Sequence, residues 1–147
     1  NELNAGDTLD FHHVSIKAVN AQHDSSHGLA DAVGYILYAE GITIHHVGDC
    51  EYNAETIAQT RGLNPDYLFV PINGKWGNMN AGEASLLAQS TGARIAVPMH
   101  YDMFIGNQED PIHFINAVHA LSAGCEVIVP ERWKIYKTAC GLRKEES

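Results

Sequence analysis

With 147 residues, 45% of them hydrophobic and 18% charged, the chain is long enough to fold as one domain and is neither disordered nor collagen-like in composition. Its formal net charge of -9 repels a phosphate backbone, so nucleic acid is not an expected partner. No apolar stretch approaches the ~20 residues of a membrane span, so no membrane association is expected.

Residues 8–12 and 14–19 read as two short strands, with Leu9, Phe11, Ile16 and Val19 among their apolar positions. Residues 20–31 are polar and form a loop. Residues 33–39 and 42–47 are apolar runs joined by Glu40-Gly41, a dipeptide suited to a tight hairpin. Asn53 can cap a helix reaching about Arg61, with Gly62 as its stop. Residues 67–71 form a compact strand apolar on both faces, and 72–80 a long Gly/Asn loop. Asn80, with Glu83 three residues on, is the capping-box signature of a second helix that ends near Thr91-Gly92. Residues 94–98 form the next strand and 99–109 a loop. Asp110-Pro111 opens a third helix, closed by Ala123-Gly124. Residues 126–129 and 133–136 read as final strands, and the charged tail 143–147 as frayed. Hairpin-linked strands followed by alternating helices and strands predict a mixed sheet covered by helices, an α/β or α+β arrangement.

Three apolar runs end at residues able to bind metal: His23 after Asn20-Ala21-Gln22, Asp49 after Val47-Gly48, and His100 after Val97-Pro98-Met99. Strand ends are where ligands gather in an α/β sheet. Two imidazoles and a carboxylate from three strands suit a hard-to-borderline divalent cation. Each residue also has a structural reading. Asp49 alone suits an Asx turn, and His100 alone a hydrogen-bonded loop histidine. His23 and His27 compete for one ligand role, with His23 nearer the strand end. His45 and His46 lie in a strand and face opposite ways, so neither is taken as a ligand. Cys50 is read as a small spectator beside Asp49. Lys75 and Trp76, in the long loop, are candidate substrate contacts. No nucleophile elbow, dinucleotide fingerprint or P-loop is present.

Cys50, Cys125 and Cys140 form neither a CxxC pair nor a disulfide framework, which points to a reducing cytoplasm. The first residues carry no basic or long apolar stretch of a secretory signal. The chain opens on Asn1 and its first methionine is Met79, so a fragment or processed piece is expected.

Taken together, these residues resemble the metallo-β-lactamase superfamily, with the nearest likeness in the L-ascorbate-6-phosphate lactonase-like group and related metal-dependent hydrolases. The likeness rests on Gly6-Asp7-Thr8-Leu9, residues 43–49 ending in Val47-Gly48-Asp49, Met79 through Ala88, and Ala93 through Phe104. It implies the second half of an αββα sandwich. It also implies a binuclear centre of Zn²⁺ or Mn²⁺, with His100 binding one ion, His23 the other, and Asp49 bridging both. The implied reaction is hydrolysis of a lactone or ester, such as a sugar-phosphate lactone, by metal-activated water. The substrate is then a small molecule, and an anionic one such as a sugar phosphate is within that class. The family's H-x-H-x-D-H motif does not occur in these 147 residues. A companion N-terminal segment or a homo-oligomer is therefore expected to cover one sheet face. The alternative is a catalytically incomplete half-domain serving in binding or assembly.

Overall fold

The computed structural model describes residues 2–24, 31–121, 124–137 and 143–144. The elements in chain order are β1 (Thr8–Phe11), β2 (Val14–Asn20), β3 (Val33–Ala39), β4 (Ile42–His46), α1 (Ala54–Thr60), β5 (Tyr67–Pro71), α2 (Ala81–Thr91), β6 (Ile95–Met99), α3 (Pro111–Ala120), β7 (Glu126–Val127), β8 (Tyr136–Lys137) and β9 (Arg143–Lys144). Strands β1 to β7 form one sheet in sequence order. The β1–β4 neighbours are antiparallel, and β4 to β7 are parallel.

Local chemistry sets these boundaries. Glu40 (φ 50°) and Gly41 (φ 78°) both occupy the left-handed region, the requirement of a two-residue hairpin whose twist matches its strands. Asn53 caps α1 by accepting from Thr56 N at 2.9 Å. Asn80 and Glu83 form a reciprocal capping box on α2, and Asp110 caps α3 with Pro111 in its first turn.

Alternation along the strands divides the apolar residues between two faces. Leu68, Val70 and Ala96 pack with Ala84, Leu87 and Ala88 of α2, and with Phe114 and Val118 of α3. Tyr67, Ile95 and Val97 point the other way and gather Ile42, Ile44, Phe69 and Ile128, a cluster holding no helix residue. An apolar trough of about 570 Å³, lined by Ile16, Tyr35 and Leu37 among others, runs beside it.

The C-terminal part corrects four expectations. The sheet strand expected over 126–129 is only Glu126–Val127, and α3 ends at Ala120. No strand spans 133–136: Trp133 (φ 63°) lies in a turn, and Tyr136–Lys137 pairs instead. Its partner is Arg143–Lys144, so that part of the expected frayed tail is paired. Residues 145–147 and the expected helix-closing Ala123 lie outside the described residues.

Candidate metal centre

Strands β2, β4, β5 and β6 all run in one direction, because two antiparallel steps separate β2 from β4 and the rest are parallel. Their C-terminal ends therefore share one sheet edge. The residues that follow them, His23, Asp49, Asn73 and His100, line a single cleft of about 160 Å³ with Trp76, Asn78, Met103, Phe104 and Asn107.

Each strand exit is shaped by an unusual backbone turn. Gly48 (φ 75°) lets the chain leave β4 sharply and presents Asp49. His100 itself sits at φ 60°, directly after β6. A side chain held in this region is a departure that histidine tolerates better than most residues. Pro98 does not end the ladder as its missing N–H suggests. It pairs opposite Val70, and the strand runs one residue further to Met99.

The geometry brings two of the three predicted ligands into contact: His100 Nδ1 lies 2.9 Å from Asp49 Oδ1. His23 lines the same cleft, and its Nδ1 is buried with no hydrogen-bond partner among the described residues. Among the described residues, no group of three or more His, Cys, Asp or Glu side chains stands close enough to hold a metal ion. The donor types, one carboxylate and two imidazoles, nevertheless suit a divalent cation. The unpaired buried nitrogen of His23 is the state expected of a group that lacks its usual partner. His27 lies outside the described residues.

Hydrogen bonds hold the three strand exits together. Glu51 N donates to Gln22 O (2.9 Å), and Gln22 Nε2 to Glu51 Oε1 (2.7 Å). Cys50 N donates to Asn78 Oδ1 (3.0 Å), and Met79 N to Cys50 O (2.9 Å). Asn73 Nδ2 donates to Asn107 Oδ1 (2.9 Å), tying loop 72–80 to loop 100–109. A Cβ on Gly77 would meet Asp24 N at 2.5 Å, so this loop also rests on the backbone beside His23. Arg132 Nη2 anchors loop 100–109 from outside, bonding Asp102 O and Oδ2 at 2.7 and 2.8 Å.

The neighbouring titratable groups are less suited to ligation. Burial pushes the Cys50 thiol up to about 11, and its Sγ donates to Glu51 O at 3.1 Å, which leaves it a neutral spectator. His46 stacks on Phe69, and its Nδ1 accepts from Gly48 N. Burial, aided by the charge of His100, keeps His46 below the usual histidine range. His45 is wholly buried on the opposite face of β4. Sequence reasoning missed Asn73, Asn78 and Asn107 as well as Met103 and Phe104. Their available signal was that each lies on a loop following a strand of the shared edge.

Residues 1–100 match the family described as the β-lactamase superfamily domain. The chain belongs to that family. A UPF0173 metal-dependent hydrolase of Thermoplasma volcanium is 35% identical over 133 residues, covering 88% of this chain and 58% of the relative. Another, from Staphylococcus haemolyticus, is 32% identical and covers 80% and 55%. The chain thus spans little more than half the length of these relatives. Among solved structures, Igni18, a metallo hydrolase of Ignicoccus hospitalis, superimposes with a TM-score of 0.75 at 27% identity, over 88% of this chain and 56% of its own. The metallo-β-lactamase fold protein YhfI of Bacillus subtilis shares the fold, with a TM-score of 0.67 at 17% identity, over 86% of this chain and 51% of its own. The mixed sheet with helices expected from the element order is the architecture of these neighbours. No described helix is long and apolar enough to cross a membrane.

Proposed function

We propose that this chain contributes His23, Asp49 and His100 to the centre of a divalent-metal hydrolase that opens an ester or lactone. The observation that carries the reading is the Asp49–His100 contact at 2.9 Å, in a strand-end cleft that His23 also lines. Its relatives are named metal-dependent hydrolases. Two ions, Zn²⁺ or Mn²⁺, suit this donor set. When bound, such ions supply Lewis acidity that brings a water toward neutral pKa and polarises the acyl group.

The chain's own residues supply positioning. Asp49, bonded to His100, fixes the orientation of that imidazole and keeps a carboxylate in the cleft. His23, on a segment pinned to Glu51 through Gln22, contributes a second imidazole to the same cleft. Asn73, Asn78 and Asn107 line the cleft with amides able to meet polar substrate groups. A sugar-phosphate lactone carries the required reacting group, a strained cyclic ester; which substituents the site prefers is a separate question of the cleft's rim. The further ligands that a binuclear site needs would come from a companion segment or a second subunit in the complete protein.

Asp49→Ala should abolish turnover of a lactone panel and reduce bound metal from about two equivalents. Unchanged turnover would remove the assignment. A second reading, a binding or assembly half-domain, is favoured by the lack of a three-ligand group among the described residues. It predicts near-zero bound metal in the purified protein.

A further inference from the structure

We propose that Trp76 and Phe104 form a subsite for an apolar substituent at the mouth of this cleft. Building on the hydrolase reading, the preferred substrate is then an uncharged lactone or ester with a flat apolar group beside its carbonyl. The two rings come from different loops and meet with centroids 5.4 Å apart, tilted by 39°. Both residues line the cleft, yet each is 54% exposed. Met103, also lining the cleft, extends this apolar rim and is 61% exposed. Such apolar groups, beside the His, Asp and Asn side chains that line the same cleft, have the composition of a small-molecule site: apolar walls with a few polar groups.

Two further features point the same way. Trp76 is held at φ 50°, between Gly74 (φ 61°) and Gly77 (φ 78°). A bulky aromatic residue in the left-handed region is strained, and such strain concentrates at ligand clamps. Two contacts tie the loop of Trp76 to the loop of Phe104: Asn73 on Asn107, and Lys75 Nζ on the Gly106 carbonyl. The same contact engages the loop's lysine with backbone. No Lys or Arg stands among the described residues that line the cleft. A phosphate or carboxylate would thus meet aromatic rings where it needs a cation, whereas an aryl group would stack on them.

The test compares α-phenyl-γ-butyrolactone with unsubstituted γ-butyrolactone in turnover, and the two corresponding lactams in calorimetric binding to the purified protein. The phenyl lactone should have the higher kcat/KM, and the phenyl lactam the tighter binding. Phe104→Ala and Trp76→Gly should each reduce that preference by about tenfold, the scale of one aromatic contact. Trp76→Gly should keep the thermal midpoint of the parent, because glycine accepts φ 50° without strain. A preference unchanged in both variants, or a phosphorylated sugar lactone outcompeting the phenyl lactone, would overturn the proposal. Trp76-dependent lactam binding by protein carrying two equivalents of zinc, without turnover of any lactone, would uphold the subsite and refute the hydrolase reading instead.

Discussion

His45 makes the stability of this fold depend on pH in a way that can be isolated by one substitution. Its side chain is fully buried in β4, opposite Ile36 and Leu68, and neither ring nitrogen has a hydrogen-bond partner among the described residues. Burial, and secondarily the charge of His46, lowers its pKa from 6.5 to about 4. In the unfolded chain the imidazole takes a proton below about 6.5. In the native state it resists protonation until pH 4, so between these values the unfolded state binds more protons. Stability therefore falls as pH drops from 6.5 to 4 and is insensitive to this group outside that window. The interval of 2.5 units corresponds to about 3 kcal/mol at 1.36 kcal/mol per unit.

His45→Leu removes the titration while filling a similar volume. It also removes two unpaired polar atoms from the core, so at pH 7 the variant should be at least as stable as the parent. At pH 4 its advantage should have grown by about 3 kcal/mol. Urea unfolding followed by circular dichroism at half-unit pH steps reads this difference directly. The carboxylates titrate in both proteins and cancel in the comparison. Parallel stability curves for the two proteins would refute the reasoning, because they would show that His45 carries its proton equally in both states.

Three other perturbations test how the cleft is held. Gly77→Ala places a methyl group against the Asp24 backbone at 2.5–2.9 Å, on a residue at φ 78°. It should cost on the order of 1–3 kcal/mol by denaturant unfolding and weaken metal binding through His23. Asn80→Ala removes the reciprocal cap of α2 and should lower stability by about 1 kcal/mol, with bound metal unchanged. His100→Ala removes the imidazole bonded to Asp49 and should lower metal affinity at least tenfold in calorimetric titration.

Much of the architecture was legible where local chemistry decides it. The caps at Asn53, Asn80 and Asp110, and the Glu40-Gly41 hairpin, each depend on a few adjacent residues, and each forms as the sequence predicts. The C-terminal strands were less legible. A two-residue ladder such as Glu126–Val127 carries no periodicity and owes its existence to β6. The apolar look of residues 133–136 conceals a turn at Trp133, while Arg132 beside it is engaged with Asp102. At the site, strand ends pointed to His23, Asp49 and His100, since direction along the sheet determines which edge a loop occupies. For the asparagines and Phe104 the sequence offered only their place on loops after shared-edge strands; which of those loop residues reach the cleft is set by the contact between loops 72–80 and 100–109. Nor does alternation in β4 reveal which of His45 and His46 faces the core, since that depends on the helices packed against the sheet.

The most direct measurement is the anomalous diffraction of zinc in crystals of the protein. The account predicts zinc within about 2.0–2.2 Å of ligating atoms of Asp49, with the His100 ring binding one ion and the His23 ring the other. Zinc bound elsewhere, with these three side chains touching no ion, would contradict it.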